Sequence, residues 1–331
     1  MRSLLAIALA WLIVSAPMTA PVAAQDPSGV VITPRVRPSN DVAESILDRR
    51  PNLRIDTTLV PIAVAVTKAA NGQLVTGLEK RNFKVYEDKV EQEIINFSTE
   101  DAPLSVGVVF DASSSMGAKL QRSREAVAQF MKTANPEDEF FLVQFNDRPE
   151  LTLPFTSDPA QIQNRLTFLQ SKGSTALLDG VYMAMNEMKK ARNGRKAILI
   201  ISDGGDNSSR YTESEVKNFV READVQIYAI GIYEAAGARS RTPEELSGPG
   251  LLADITESTG GKHFAVDNLA DLPDVAAKIG LELRNQYVLG YSPKNVARDG
   301  KYRKVEVKLV NVSKLPALRA RFRLGYYAPA Q

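Results

Sequence analysis

The chain has 331 residues, 44% of them hydrophobic and 24% charged, enough for one large or two modest globular domains. Its 41 Lys+Arg against 39 Asp+Glu leave a formal net charge of +2, which gives no electrostatic footprint for nucleic acid. The absence of cysteine excludes disulfides, thiolate metal sites and cysteine nucleophiles, and a single histidine, His263, excludes a zinc site built from several imidazoles.

Residues 1–24 read as a secretory signal: Arg2, an apolar run over 4–14, Pro17 and Pro21, and the small-residue pattern Val22-Ala23-Ala24. The run is shorter than the ~20 apolar residues of a spanning helix. The expected mature chain starts near Gln25, is exported (periplasmic or secreted) and keeps no membrane span. Residues 25–52 are polar and carry Pro27, Pro34, Pro38 and Pro51, a flexible leader with room for a short helix at 42–49.

Residues 53–101 read as strands. Val60, Ile62, Val64 and Val66 share one face, Asn71-Gly72 signals a hairpin turn, and strands around Phe83/Val85 and Ile94/Phe97 follow, joined by a Glu-Asp-Lys turn. Near the roughly 40-residue lower limit for independent folding, and without disulfides, such a segment needs a partner to fold. Residues 286–331 offer one, with strands expected at 286–291, 303–310 and 320–327. The two ends are expected to form the halves of one β-sandwich; two separate β appendages are the alternative.

Between them, residues 102–285 alternate strands (106–110, 140–145, 197–201, 225–232, 262–266) with helices (120–134, 159–169, 177–190, 213–222, 244–259, 269–284). This order predicts an α/β domain, a doubly wound and mainly parallel sheet inserted into the sandwich, with 150–155 as an antiparallel edge strand. Residues 234–250 are expected to be a surface loop. No phosphate-cradling glycine motif follows a strand.

The most informative stretch is SVGVVFDASSSMG at 105–117, a buried strand ending in Asp111, Ser113 and Ser115. A carboxylate and two hydroxyls at the carboxyl end of an apolar strand suit a hard divalent cation such as Mg²⁺. In isolation the same residues read first as a helix-capping loop. Two later segments bear on the choice: Gly173-Ser174-Thr175 before a helix, and the apolar strand 198–201 ending in Ser202-Asp203-Gly204. Thr175 alone could be a helix N-cap. Asp206 reads as a solvated turn residue, with a supporting partner behind the ligands as the alternative, and His263 as a packed or surface residue.

Together Asp111, Ser113, Ser115, Thr175 and Asp203 resemble the metal-ion-dependent adhesion site of von Willebrand factor type A domains. The flanking strands resemble those of an exported bacterial family carrying such domains. The resemblance implies one shared cation, Mg²⁺ first and Mn²⁺ or Ca²⁺ next. It implies direct ligation by Ser113 and Ser115, ligation by Thr175 when a ligand is present, and action of Asp111 and Asp203 partly through water. It implies a protein partner that completes the coordination sphere with an acidic side chain, and a final helix able to shift. The family commonly has glycine where this chain has Ser114, which predicts a tightened loop. The expected function is a non-enzymatic adhesion module. A scaffold with a vestigial metal site is the runner-up. A metal-assisted hydrolase comes last, because no general base stands beside the two carboxylates.

Overall fold

The computed structural model describes residues 59–99, 101–233, 243–312 and 316–330, with backbone alone at 244–245. The signal sequence, the leader with its 42–49 helix, and 234–242 of the expected surface loop lie outside the described residues.

The N-terminal strands are β1 (Val60–Lys68), β2 (Phe83–Glu87), β3 (Val90–Gln92) and β4 (Ile94–Ser98). The central segment runs β5 (Leu104–Asp111), α1 (Leu120–Met131), β6 (Glu139–Phe145), β7 (Pro149–Thr156), α2 (Pro159–Thr167), α3 (Leu177–Met188), β8 (Arg195–Ser202), α4 (Glu213–Glu222), β9 (Gln226–Ile232), α5 (Pro243–Glu257), β10 (His263–Val266) and α6 (Leu272–Arg284). The C-terminal strands are β11 (Tyr287–Tyr291), β12 (Tyr302–Leu309), β13 (Leu318–Arg321) and β14 (Gly325–Tyr327).

Among the described residues, the central strands form one sheet in the order β10-β9-β8-β5-β6-β7. Every pairing is parallel except that of the edge strand β7 with β6. Every residue of β5 is buried, as a strand covered on both faces requires. Val106, Val108 and Phe110 pack on one face with Phe130, Ile162 and Ile279, from α1, α2 and α6. Val109 packs on the other with Val181, Val216 and Ile255, from α3, α4 and α5. Each such buried side chain contributes roughly 1.5–3 kcal/mol, so the two layers hold the sheet from both sides. The helices start where local chemistry allows. Asp158 accepts from Ala160 N with proline in the first turn of α2, and Thr212 with Glu215 forms a capping box on α4.

The chain ends interleave in two four-stranded sheets, β13-β1-β11-β4 and β14-β12-β2-β3. β1 pairs antiparallel with β11, and β2 with β12. One core holds Ile62, Val64, Val85, Leu289, Tyr291 and Val305, so the sandwich is joint. Two details differ from the sequence reading. The Glu-Asp-Lys turn joins β2 to the short polar strand β3, with both Asp88 and Lys89 at positive φ (47° and 71°), while β4 belongs to the other sheet. The strand expected at 320–327 is two strands in two sheets, because the chain crosses between layers at residues 322–324. There Leu324 N bonds Ser258 O, and its own carbonyl takes Val305 N.

β5 and β8 are neighbours, with Phe110 opposite Ile201. Asp111 and Ser202-Asp203 therefore leave the sheet side by side at its carboxyl end, where open α/β sheets place their ligands.

Candidate functional site

Asp111 is fully buried at the end of β5. Its Oδ1 accepts from Ser113 N at 2.9 Å, and its Oδ2 accepts from Ser202 Oγ at 2.6 Å. Ser202 Oγ in turn accepts from Gly204 N at 3.0 Å, so one hydroxyl ties the first acidic loop to the turn that carries the second. Burial, with the Asp203 carboxylate beside it, pushes the Asp111 carboxyl up from 3.8 to about 7, against the hydrogen bonds from Ser113 and Ser202.

Ser113 is buried and Ser115 exposed, with their hydroxyls 3.0 Å apart. Between them, Ser114 starts a single turn of 3-10 helix and does not have a positive φ. Serine therefore costs nothing in backbone strain where the family has glycine, and the tightened loop expected from the sequence does not arise.

The second loop is laced to the first by two backbone bonds, Lys172 N to Ala112 O at 2.9 Å and Ser114 N to Gly173 O at 3.0 Å. Gly173 has φ +78°, and a Cβ there would meet the Asp147 carboxylate at 2.5 Å. Asp147 also accepts from Ser174 N at 2.7 Å, which fixes the approach to Thr175. Helix α3 begins at Leu177 with Ala176 at its cap and no capping side chain, so the Thr175 hydroxyl is not spent on capping. The third loop closes on the second. Asn207 N and Ser208 N both bond Thr175 O, and Thr175 N donates to Asn207 Oδ1 at 2.9 Å. Asp206 is not the solvated turn residue first expected but takes the alternative supporting place, accepting from Leu178 N at 2.8 Å and from the Ser209 hydroxyl at 2.7 Å.

Asp203 is 5% exposed. Its Oδ2 is paired with Lys119 Nζ at 3.0 Å, and its Oδ1 is buried without a hydrogen-bond partner. An orphaned buried carboxylate oxygen is costly, and a bound cation or a water would relieve it. No group of three or more His, Cys, Asp or Glu suited to a metal occurs among the described residues, so a cation here would draw on hydroxyls as well. Two carboxylates, the paired Ser113 and Ser115 hydroxyls and the neighbouring Thr175 are all hard oxygen donors, and they fit Mg²⁺ better than a soft metal.

His263 lies elsewhere. It sits on β10, three strands from β5, roughly 14 Å at ordinary strand spacing. There it shares a 3.1 Å hydrogen bond with the Tyr233 hydroxyl, and burial lowers its pKa. Four residues with a part in the site were missed in the sequence: Lys119, Asp147, Ser202 and Asn207. Lys119 alone carried a signal, since an ammonium at a helix N-terminus opposes the helix dipole and calls for a nearby carboxylate.

Residues 106–205 match a family model described as von Willebrand factor type A domain. An uncharacterized protein of Borreliella burgdorferi is 24% identical over 188 residues, covering 50% of this chain and 55% of that protein. The human inter-alpha-trypsin inhibitor heavy chain H4 is 28% identical over 141 residues, covering 39% of this chain and 15% of that one. The chain thus spans about half the first relative and a small part of the second. Among solved structures, a von Willebrand factor type A protein from Catenulispora acidiphila aligns with a TM-score of 0.49 at 13% identity, over 84% of this chain and 75% of that one.

Proposed function

From the match of residues 106–205 to the von Willebrand factor type A domain model, we propose that the chain is an exported module that binds a protein partner through a divalent cation. Ser113 and Ser115 would hold Mg²⁺ directly, Thr175 would join them when ligand is present, and Asp111 and Asp203 would supply the compensating charge. An acidic side chain of the partner would complete the coordination sphere. Residues 102–285 would form the binding domain, with 53–101 and 286–331 as its stalk or second interface. Export to the periplasm or beyond follows from the 1–24 signal. No helix among the described residues is long and apolar enough to cross a membrane.

The observation that carries this reading is the buried, unpartnered Asp203 Oδ1 beside a second buried carboxylate. Two such groups repel unless a cation lies between them or one takes a proton. A non-catalytic role is supported by the distance of His263 from this rim. It also agrees with the human relative, which is named as a heavy chain of a trypsin inhibitor.

The Lys119–Asp203 ion pair supports a second reading, a scaffold whose ammonium has replaced the metal. Thermal melts of the purified chain in Mg²⁺ and in EDTA separate the two, since a ligand held only by the folded state adds about 2.7 kcal/mol at a hundred times its Kd. The expected result is a rise in Tm with Mg²⁺ that Asp111→Ala abolishes. A wild-type Tm indifferent to Mg²⁺, Mn²⁺ and Ca²⁺ leaves only the scaffold. Ester or phosphoester turnover accompanying the rise would move the chain to the hydrolases.

A further inference from the structure

Lys119 is the first residue of the turn that opens α1, and its carbonyl accepts from Ser123 N at 3.0 Å. Its stem is thereby anchored at the helix start. Its side chain is 13% exposed and ends on Asp203 Oδ2, joining the first acidic loop to the third. An ammonium at a helix N-terminus opposes the helix dipole, so the residue is held there by Asp203 and not by its helix. The pair uses one oxygen of Asp203 and leaves Oδ1 without a partner.

Charge counting gives this pair a consequence for ligand choice. With Asp111 ionised, Asp111 and Asp203 contribute two negative charges and Lys119 one positive, so these three groups sum to −1. A divalent ion brings the sum to +1, and one carboxylate from outside brings it to zero. Without the lysine, metal alone would neutralise the rim and leave an incoming carboxylate in excess. We infer that Lys119 is a specificity-determining residue of this rim, a resident ammonium that weakens binding of the metal by itself and makes the metal and an acidic ligand bind together. This inference rests on the proposed metal site and deepens it. The ligand class is a carboxylate, and neither it nor the metal binds well without the other.

The test is calorimetric titration of Mg²⁺ into the full chain at pH 8. It uses wild type, Lys119→Met and Lys119→Arg, in sodium chloride and in sodium acetate of equal ionic strength. In chloride, Lys119→Met is expected to bind Mg²⁺ at least about tenfold more tightly than wild type, because a divalent ion and an ammonium a few ångströms apart repel by about that factor even at the dielectric of water. Acetate is expected to tighten Mg²⁺ binding to wild type and to Lys119→Arg, but not to Lys119→Met. Melting curves in EDTA establish that each variant is folded, and Lys119→Gln replaces Lys119→Met should the latter not be. Equal or weaker Mg²⁺ affinity in the folded methionine variant overturns the inference and leaves the metal site standing. An equal acetate effect in all three overturns the coupling. No Mg²⁺ binding in any variant, with or without acetate, overturns the metal site and this inference together.

Discussion

Asp111 is held by groups that favour its charged form, yet burial and the neighbouring Asp203 win, and its pKa stands near 7. For an acid raised on folding, stability is fully present below the unfolded value of 3.8 and is lost as pH rises through about 7. The cost of the charged form is about 4 kcal/mol at pH 8. Urea titrations in EDTA at pH 5 and pH 8 should therefore show the wild type less stable at the higher pH. Asp111→Asn should flatten that difference, and so should Mg²⁺ in the wild type. Parallel pH profiles for wild type and Asp111→Asn would contradict the assignment. The identities at this scale were readable because each acid follows an apolar strand. Ser202 reads as the end of a strand, and its hydrogen bonds, given to Asp111 and taken from Gly204, join two loops because β5 and β8 lie side by side. Asn207 and Asp147 are equally invisible in one dimension, since each serves a loop 27 or more residues away in the chain.

At the scale of elements, the third loop is shaped by a close approach. Gly204 has φ +83°, and a Cβ on it would lie 2.8 Å from Gly248 Cα, inside α5. Backbone cannot yield as a flexible side chain can, so Gly204→Ala must shift either the loop or the helix. The conformation alone costs about 1–3 kcal/mol for a non-glycine residue. The expected result is a folded protein, less stable by at least that amount, whose Mg²⁺ response is weakened because Asp203 precedes the displaced turn. An unchanged melt in EDTA would mean that the loop does not need this angle. Element types in the central segment were legible from the alternation of apolar strands with helical spacing, and their ends agree to within a few residues. The strands of the sandwich were harder. β3 is three residues long and polar, and its turn uses Asp88-Lys89 in place of a glycine signal. The split of β13 from β14 reflects a crossing between layers, which leaves no mark on a hydrophobic pattern.

Across the whole molecule, the two ends of the chain meet on one buried carboxylate. Glu87 on β2 is 2% exposed, and its Oε2 accepts from Tyr291 Oη at 2.8 Å and from Tyr326 Oη at 2.7 Å. Tyr291 belongs to the facing sheet and Tyr326 to the same sheet as Glu87, so the three groups cross the sandwich and join strands more than 200 residues apart. Burial and then Glu87 raise both phenols, which stay protonated donors throughout the usable pH range. Tyr291→Phe keeps the ring and removes one donor from a buried charge, a loss of about 1–3 kcal/mol. Because the sandwich is joint, that loss should appear at both ends of the sequence. In hydrogen exchange, the amides of Phe83–Glu87 should lose protection together with those of Tyr287–Tyr291, while the central strands β5 and β8 keep theirs and the Mg²⁺ response is unchanged. Two independent β appendages would behave otherwise, with β11 loosened and β2 left as it was. That outcome would detach the N-terminal strands from the C-terminal ones and leave 53–101 without the core that lets so short a segment fold.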